Sequence, residues 1–245
     1  MAIMGYPTYK VTLQRILIPE NIDSRYCEEW LSPKDYPRFS TIFLEAPLGK
    51  IPGRSAERMW DNSVSEAKVE AYLESGGVII LTARAFSEVT QGRDTGKLAA
   101  LLGFTESPFP ESKEIEGGKA ACRVRIVNHN SPATAHLGKK EYDWLAEARP
   151  RFVIKTTTAE TLAEIIDEHG ETLSPFITVN KVGRGEVYWF GCSLATPYAK
   201  RGGKPDEDTE AYAQTILQAI LESHPARLPG LKKECWDPKP LGSSR

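Results

Sequence analysis

The sequence predicts an α/β protein: a three-layer α/β/α sandwich with a mostly parallel central sheet, followed by a β-meander and a closing helix. Three observations carry this prediction. A helix, a double glycine and a short apolar strand follow one another between Val69 and Phe86. The apolar run 78–81 is typical of a strand that is covered on both faces in a parallel sheet. From Arg151 onward the pattern changes to short strands in succession and then one long helix.

Composition is that of a soluble globular protein. The chain has 245 residues, of which 40% are hydrophobic and 26% charged, enough for a full core. Its net charge of −2 lacks the basic excess of a nucleic-acid-binding protein, and no apolar run is long enough to span a membrane. The N-terminus lacks a signal-peptide pattern, so we expect a cytoplasmic protein, unless the chain is a piece of a larger secreted protein. The 4 cysteines are scattered, which favours isolated thiols over a metal site or disulfide framework; neither a metal nor a cofactor is expected.

The first part of the chain alternates between strand and helix patterns. We expect one domain over residues 1–224 and an irregular C-terminal strap over 225–245. Within the domain, the expected early elements are a strand over 10–18, a short helix over 24–31, and a buried strand over 40–45 that ends at Glu45.

A helix is expected to begin at Ser63. Ser63 and Glu66 fit a capping box, in which each side chain bonds a free amide at the helix start. Gly76 or Gly77 can adopt the left-handed conformation that ends a helix. The residues expected on the buried face, at helical spacing, are Val64, Ala67, Ala71 and Tyr72.

The remaining elements follow from the same spacing rules. The pattern predicts a short helix over 96–102 that ends at Gly103. It also predicts a Pro- and Glu-rich surface loop over 105–118. Residues 120–127 alternate as a half-exposed strand, and 128–138 form a turn. The other expected elements are strands over 152–155, 161–166, 176–182 and 186–190, hairpin turns at 167–170 and 183–185, and a helix over 206–223 with Tyr212, Ile216, Ala219 and Ile220 buried.

Four segments together resemble the class I glutamine-amidotransferase-like fold, a flavodoxin-like architecture. They read F-L-E-A-P over 43–47, V-E-A-Y-L-E-S-G-G over 69–77, V-I-I-L-T-A-R over 78–84 and V-N-K-V-G-R-G-E-V-Y-W-F-G over 179–191. The resemblance covers roughly residues 35–222 and is nearest to non-amidotransferase members. In the trimerisation domain of family 42 β-galactosidases, a helix, two glycines and a strand ending in Thr-x-Arg are typical. Trehalose-utilisation-type proteins have a His-Pro-x-Thr-x-Gly-Leu segment similar to residues 130–137.

The catalytic motifs of amidotransferases are not matched. Active members carry a cysteine nucleophile in a Gly-x-Cys-x-Gly elbow, where this chain reads L-T-A-R-A over 81–85. Their His-x-Glu pair follows the late strand, where this chain reads C-S-L over 192–194. Because a thiolate needs a base or a positive neighbour, glutamine hydrolysis is not expected. The start differs too, since only one strand and one short helix are expected before Asp35, which indicates a trimmed sheet edge or a removed upstream domain.

Two candidate site residues lie at predicted strand ends. Ligands of open α/β sheets bind outside the carboxyl ends of the strands. Arg84 follows the strand 78–81, and its planar guanidinium suits a carboxylate, a phosphate or a sugar hydroxyl. Glu45 ends the preceding strand and is a candidate general base. An ion pair between Arg84 and Glu45 is the alternative, purely structural interpretation.

A second polar group follows the strand over 120–127. Side chains of both Asn and Ser bond nearby backbone amides in turns, so turn chemistry explains this group as well as ligand binding does. The candidate ligand-binding residues are Asn128, His129, Asn130 and His136.

Two main functional hypotheses follow from the resemblance. The first is a non-catalytic module for oligomerisation or ligand binding, associated with a glycoside hydrolase; it implies a homo-oligomer. The second is a small-molecule enzyme of the trehalose-utilisation type that uses Glu45, Arg84 and the loop over 128–136. Both imply a sugar or sugar-acid ligand, and neither implies a nucleic acid, a membrane or a cofactor. A protein-interaction adaptor is a third hypothesis, which predicts a large exposed apolar patch.

Overall fold

A computed structural model describes residues 1–4, 25–27, 33–45, 63–83, 85–86, 96–108, 121–138, 140–145, 152–167, 169–192, 194 and 207–224. The helices are α1 (Ser63–Glu74), α2 (Gly96–Leu102) and α3 (Glu207–Ser223), with a 3₁₀ helix over Pro33–Arg38. The strands are β1 (Ala2–Met4), β2 (Arg25–Cys27), β3 (Thr41–Leu44), β4 (Val78–Thr82), β5 (Phe104–Pro108), β6 (Ala121–Ile126), β7 (Glu141–Leu145), β8 (Phe152–Thr156), β9 (Glu160–Ile166), β10 (Thr172–Val182) and β11 (Gly185–Phe190).

The described strands form a nine-stranded sheet in the order β2-β1-β3-β4-β11-β10-β9-β6-β7 and a small sheet of β5 and β8. From β2 to β11 neighbouring strands are parallel. When β11 is counted as the fifth strand, their order is the 2-1-3-4-5 order of flavodoxin-like folds. From β11 to β7 the neighbours are antiparallel, so β9, β10 and β11 of the predicted meander continue the same sheet. The first strand of the predicted meander, β8, pairs with β5 in the small sheet instead. The predicted α/β class is confirmed, and the sheet is half parallel and half antiparallel.

The two faces of the central strands pack into two separate cores. Side chains alternate along a strand, so Ile79 faces the core that contains α1 and α2, whereas Ile80 faces the core that contains α3. Leu73 of α1 and Leu102 of α2 lie in the first core, and Ile216 of α3 lies in the second. Helices on both faces of the sheet make the three layers that the sequence predicts.

The buried face of α1 differs from the predicted one. Val69, Tyr72 and Leu73 are buried, whereas Ala67 and Ala71 are exposed. Of the four residues predicted, only Tyr72 is confirmed, and the side chain of Val64 lies outside the described part of the chain. The three larger side chains share a face at i, i+3 and i+4, and they remove more apolar surface from water than alanines do. The helix ends as predicted, with Gly76 at a φ of 101°.

The beginning of the chain also differs from expectation. The helix predicted over 24–31 is wrong, because Arg25–Cys27 forms β2, which pairs in parallel with β1. Pairing with a distant strand overrides the local helical pattern. Two short strands, rather than one strand and a helix, therefore precede Asp35 among the described residues. The strand predicted over 10–18 lies outside them.

Most later predictions are confirmed. The elements that lie where expected are the strands β3, β4, β6, β8, β9, β10 and β11, the helices α2 and α3, and the hairpin turns at Gly170 and Gly183. The prediction of a surface loop over 105–118 is wrong for its first residues, because residues 105–108 belong to β5, which pairs with β8. The strand β7 has no counterpart among the predictions.

Candidate functional site

The carboxyl ends of β3, β4 and β11 meet at one place, which we call the strand-end corner and define by Glu45, Thr82 and Leu194. Thr82 lies opposite Phe190 of β11, and Glu45 directly follows the end of β3. Between β1 and β3 the strand order reverses, which is where open α/β sheets bind ligands. Glu45 follows β3 and so lies beside this reversal, which makes the strand-end corner a candidate site.

Thr82 links the ends of β3 and β4. Its hydroxyl donates to the backbone carbonyl of Glu45 at 2.8 Å, with the carbonyl of Leu44 at 3.4 Å. The same oxygen accepts the backbone N–H of Ala85 at 3.4 Å and so shapes the turn that leaves β4. Thr82 is fully buried. Its side chain acts within the protein.

Glu45 links β3 to the segment that follows β11. Its Oε2 atom accepts the backbone N–H of Leu194 at 3.1 Å, and the residue has 0% exposed surface. A buried carboxylate is costly unless hydrogen bonds compensate for the lost water, and bonds from backbone N–H groups to a carboxylate are among the stronger ones. Glu45 therefore holds two distant segments of the chain together.

The turn after β4 is buried on both sides of Arg84. Ala83 and Ala85 have 3% and 1% exposed surface, while Arg84 itself lies outside the described residues. The predicted role of Arg84, as a ligand clamp or as the ion-pair partner of Glu45, stays a prediction. Cys192, which lies at the position of the family's His-x-Glu pair, is a buried cysteine.

The loop after β6 lies far from the strand-end corner. Four strand spacings separate β6 from β4, or roughly 19 Å at the usual distance between strands. The candidate residues His129, Asn130 and His136 are exposed, and Asn128 is half-buried.

Asn128 takes part in the turn chemistry of this loop. Its side-chain amide donates to the carboxylate of Glu160, and its Oδ1 accepts the backbone N–H of Asn130 at 2.7 Å. The buried hydroxyl of Thr134 donates to the backbone carbonyl of Asn128. These bonds fold the loop upon itself, and ligand binding by its four candidates stays a prediction.

Sequence reasoning missed a polar cluster at the opposite end of the central strands, formed by Glu186, Tyr188 and His224. The Tyr188 hydroxyl donates to Oε2 of Glu186 at 2.6 Å, and Nε2 of His224 lies 3.0 Å from the same oxygen. The hydrogen bond from His224 lowers the pKa of Glu186, and burial raises the pKa of Tyr188. A signal for two of the three residues was present, because Glu186 and Tyr188 are two positions apart on β11 and so share a face.

Among the described residues, no group of three or more His, Cys, Asp or Glu side chains is placed to hold a metal ion. No described helix has the length and apolar content needed to cross a membrane.

Comparison with known proteins finds similarity in structure but not in sequence. No family model and no curated protein matches the chain. A β-galactosidase from Bacillus circulans sp. alkalophilus is similar over 91% of this chain, with a TM-score of 0.54 and 18% identity. A putative ThuA-like protein from Bacteroides uniformis is similar over 89% of this chain, with a TM-score of 0.52 and 11% identity. The N-terminal domain of mmIFT52 is similar over 90%, with a TM-score of 0.55 and 13% identity.

These similarities define the fold. The β-galactosidase and ThuA-like neighbours are those that the sequence resemblance implies, so the resemblance is confirmed at the level of fold. The chain spans only 30% of the β-galactosidase, but it covers 89% of the ThuA-like protein and 94% of the mmIFT52 domain. The same architecture thus occurs as one part of a β-galactosidase and makes up most of the ThuA-like chain.

Proposed function

We propose that this chain is a non-catalytic α/β module that acts by assembly or ligand binding in carbohydrate metabolism. One observation carries the non-catalytic part: Glu45 and Thr82 are both fully buried and bonded to the backbone. A general base must reach the proton that it abstracts. Oε2 of Glu45 instead accepts a backbone N–H, so the polar groups of the strand-end corner stabilise the fold.

The carbohydrate part is supported by the β-galactosidase and ThuA-like neighbours. A chain that matches 30% of a β-galactosidase has the size of one of its domains. The mmIFT52 domain shares the fold at a similar TM-score, so this support comes from the kinds of protein found and not from a shared site.

The test of assembly is the solution mass, measured by light scattering on a sizing column at two protein concentrations that differ about tenfold. We expect a dimer or trimer whose mass does not change with concentration. A monomer at both concentrations would remove the assembly role. A thermal-shift screen of neutral sugars and sugar acids then tests ligand binding, and a screen without any concentration-dependent shift would remove that role.

A small-molecule enzyme of the trehalose-utilisation type is the second candidate. It is favoured by the ThuA-like neighbour, because the match covers 89% of both chains. In this enzyme, Arg84→Ala abolishes conversion of the sugar substrate, as followed by chromatography, and leaves the solution mass unchanged. In the module, the same substitution changes only stability or association. Arg123→Ala is the matched control, because Arg123 is an exposed arginine on β6, paired with Glu141.

A further inference from the structure

The C-terminal end of α3 is closed by side chains. The last carbonyl groups of a helix lack partners within the helix and need other donors. Here the carbonyl oxygen of Ile220 accepts the hydroxyl of Ser223 at 2.9 Å and lies 2.8 Å from Nδ1 of His224. His224, the first residue after α3, thus serves as a cap.

The other ring nitrogen of His224 reaches the sheet. Nε2 lies 3.0 Å from Oε2 of Glu186, at the start of β11. The imidazole therefore joins the last turn of α3 to the end of the sheet that is opposite the strand-end corner. Both side chains are about one-fifth exposed, so solvent protons reach the pair.

The two contacts together require the charged form of the ring. A carbonyl oxygen and a carboxylate only accept hydrogen bonds, so each nitrogen must carry a proton to bond its partner. The hydroxyl of Ser223 lies 3.0 Å from Nδ1 and 2.9 Å from the carbonyl oxygen of Ile220, so a hydroxyl that donates to Nδ1 leaves this carbonyl without either of its side-chain donors. A neutral imidazole makes one of these bonds and loses the other.

The end of α3 and the facing carboxylate both favour the charged ring. The carbonyl end of α3 favours a cation, and Tyr188 lies edge-on to the imidazole with ring centroids 6.1 Å apart. Glu186 is the facing carboxylate on β11, while Lys181 on β10 and Glu160 on β9 are the further charges that act on Glu186 and Tyr188. Bonding to His224 lowers the pKa of Glu186, so this carboxylate stays charged in mildly acidic solution.

We propose that His224 is a protonation-dependent latch that fastens the last turn of α3 to Glu186 of β11. Imidazoles ordinarily lose their second proton near pH ~6.5. The latch is therefore complete in mildly acidic solution and loosens as the pH rises.

The test is amide hydrogen exchange in the last turn of α3 at pH about 5.5 and about 8, with rates corrected for the intrinsic effect of pH. We expect protection in the wild-type chain to fall about three- to tenfold at the higher pH, the range that a cation at a helix end supports. In His224→Gln, protection is low at both pH values. His129→Gln is the control, since His129 is exposed and lies on the loop after β6, and it should behave as wild type. Equal protection at both pH values in the wild type would overturn the proposal.

Glu186→Gln provides a second variant that keeps an acceptor for the Tyr188 hydroxyl but removes the charge. We expect protection at the end of α3 to depend less on pH in this variant than in the wild type. If Glu186→Gln retains the full wild-type pH dependence, Glu186 is not the anchor and the latch as proposed is wrong.

Discussion

Two buried threonines in the nine-stranded sheet offer a matched test of how the strand-end corner is held. Thr82 and Thr178 both have 0% exposed surface. The hydroxyl of Thr82 donates to the backbone carbonyl of Glu45 at 2.8 Å, whereas the hydroxyl of Thr178 has no hydrogen-bond partner among the described residues. Replacement by valine keeps the shape of both side chains and exchanges only the hydroxyl for a methyl group.

The two replacements should change stability in different directions. Thr82→Val leaves a buried carbonyl without its donor and the N–H of Ala85 without its acceptor, which costs about 1–3 kcal/mol of unfolding free energy. Thr178→Val removes a hydroxyl that is buried without compensation, so we expect a change between zero and a gain of about 1 kcal/mol. In a chain of this length, 1 kcal/mol corresponds to a shift of about 2–4 °C in the unfolding midpoint.

The assay is equilibrium unfolding in urea, followed by circular dichroism and tryptophan fluorescence. Thr82→Ser is the control that keeps the hydroxyl, and it should lose only the contribution of one buried methyl group, about 1 kcal/mol. Equal losses in Thr82→Val and Thr178→Val would refute the reasoning, because the replacement itself would then explain the effect. A neutral Thr82→Val would refute it as well.

Three further predictions concern packing, a buried amide and pH. At Gly185 a Cβ atom would lie 2.3 Å from two backbone carbonyl oxygens, so Gly185→Ala should lower the free energy of unfolding by about 3 kcal/mol, measured by thermal unfolding. Gly138→Ala is the control: a Cβ atom there has nothing within 4 Å, so the free energy of unfolding should change by less than about 0.5 kcal/mol. Asn180 donates to a carbonyl of α2 at 2.8 Å and accepts a threonine hydroxyl at 3.0 Å, so Asn180→Leu should lose about 1–3 kcal/mol in urea unfolding; a neutral result would contradict these bonds. Because the folded-state pKa of Glu186 is lowered from 4.5, the stability that its charge contributes is present above this value and is lost as the pH falls through the lowered one. Acid titration of unfolding should show a smaller loss for Glu186→Gln than for the wild type, and equal losses would contradict the prediction.

Elements with strong local signals could be predicted from the sequence. The unit α1–β4 has a helical pattern, a glycine at positive φ and an apolar strand in direct succession, and all three lie within 20 residues. The face of α1 could not be predicted in this way, because Ala67 and Ala71 fit the same helical spacing as Val69 and Leu73. Only the neighbouring sheet determines which of the two sets is buried.

Long-range pairing limits prediction of both the sheet and the site. β2 is a strand because it pairs with β1, and the strand order was not visible from the sequence. Glu45 was predicted at a strand end, and it lies there. Its partner Leu194 is 149 positions away, so no local pattern indicates that the side chain turns inward. The cluster of Glu186 and His224 joins a strand to a helix end and was missed for the same reason.

The central claim is that Glu45 at the strand-end corner faces the protein and not a ligand. Carbodiimide labelling of carboxylates in the folded protein, read by peptide mass spectrometry, tests this claim most directly. Glu45 has 0% exposed surface, whereas the side chain of Glu141 on β7 is 42% exposed and serves as the internal reference. We expect Glu141 to be labelled in the folded protein and Glu45 to be labelled only after unfolding. Labelling of Glu45 at the rate of Glu141 in the folded protein would show an accessible carboxylate at the strand ends and would contradict this claim.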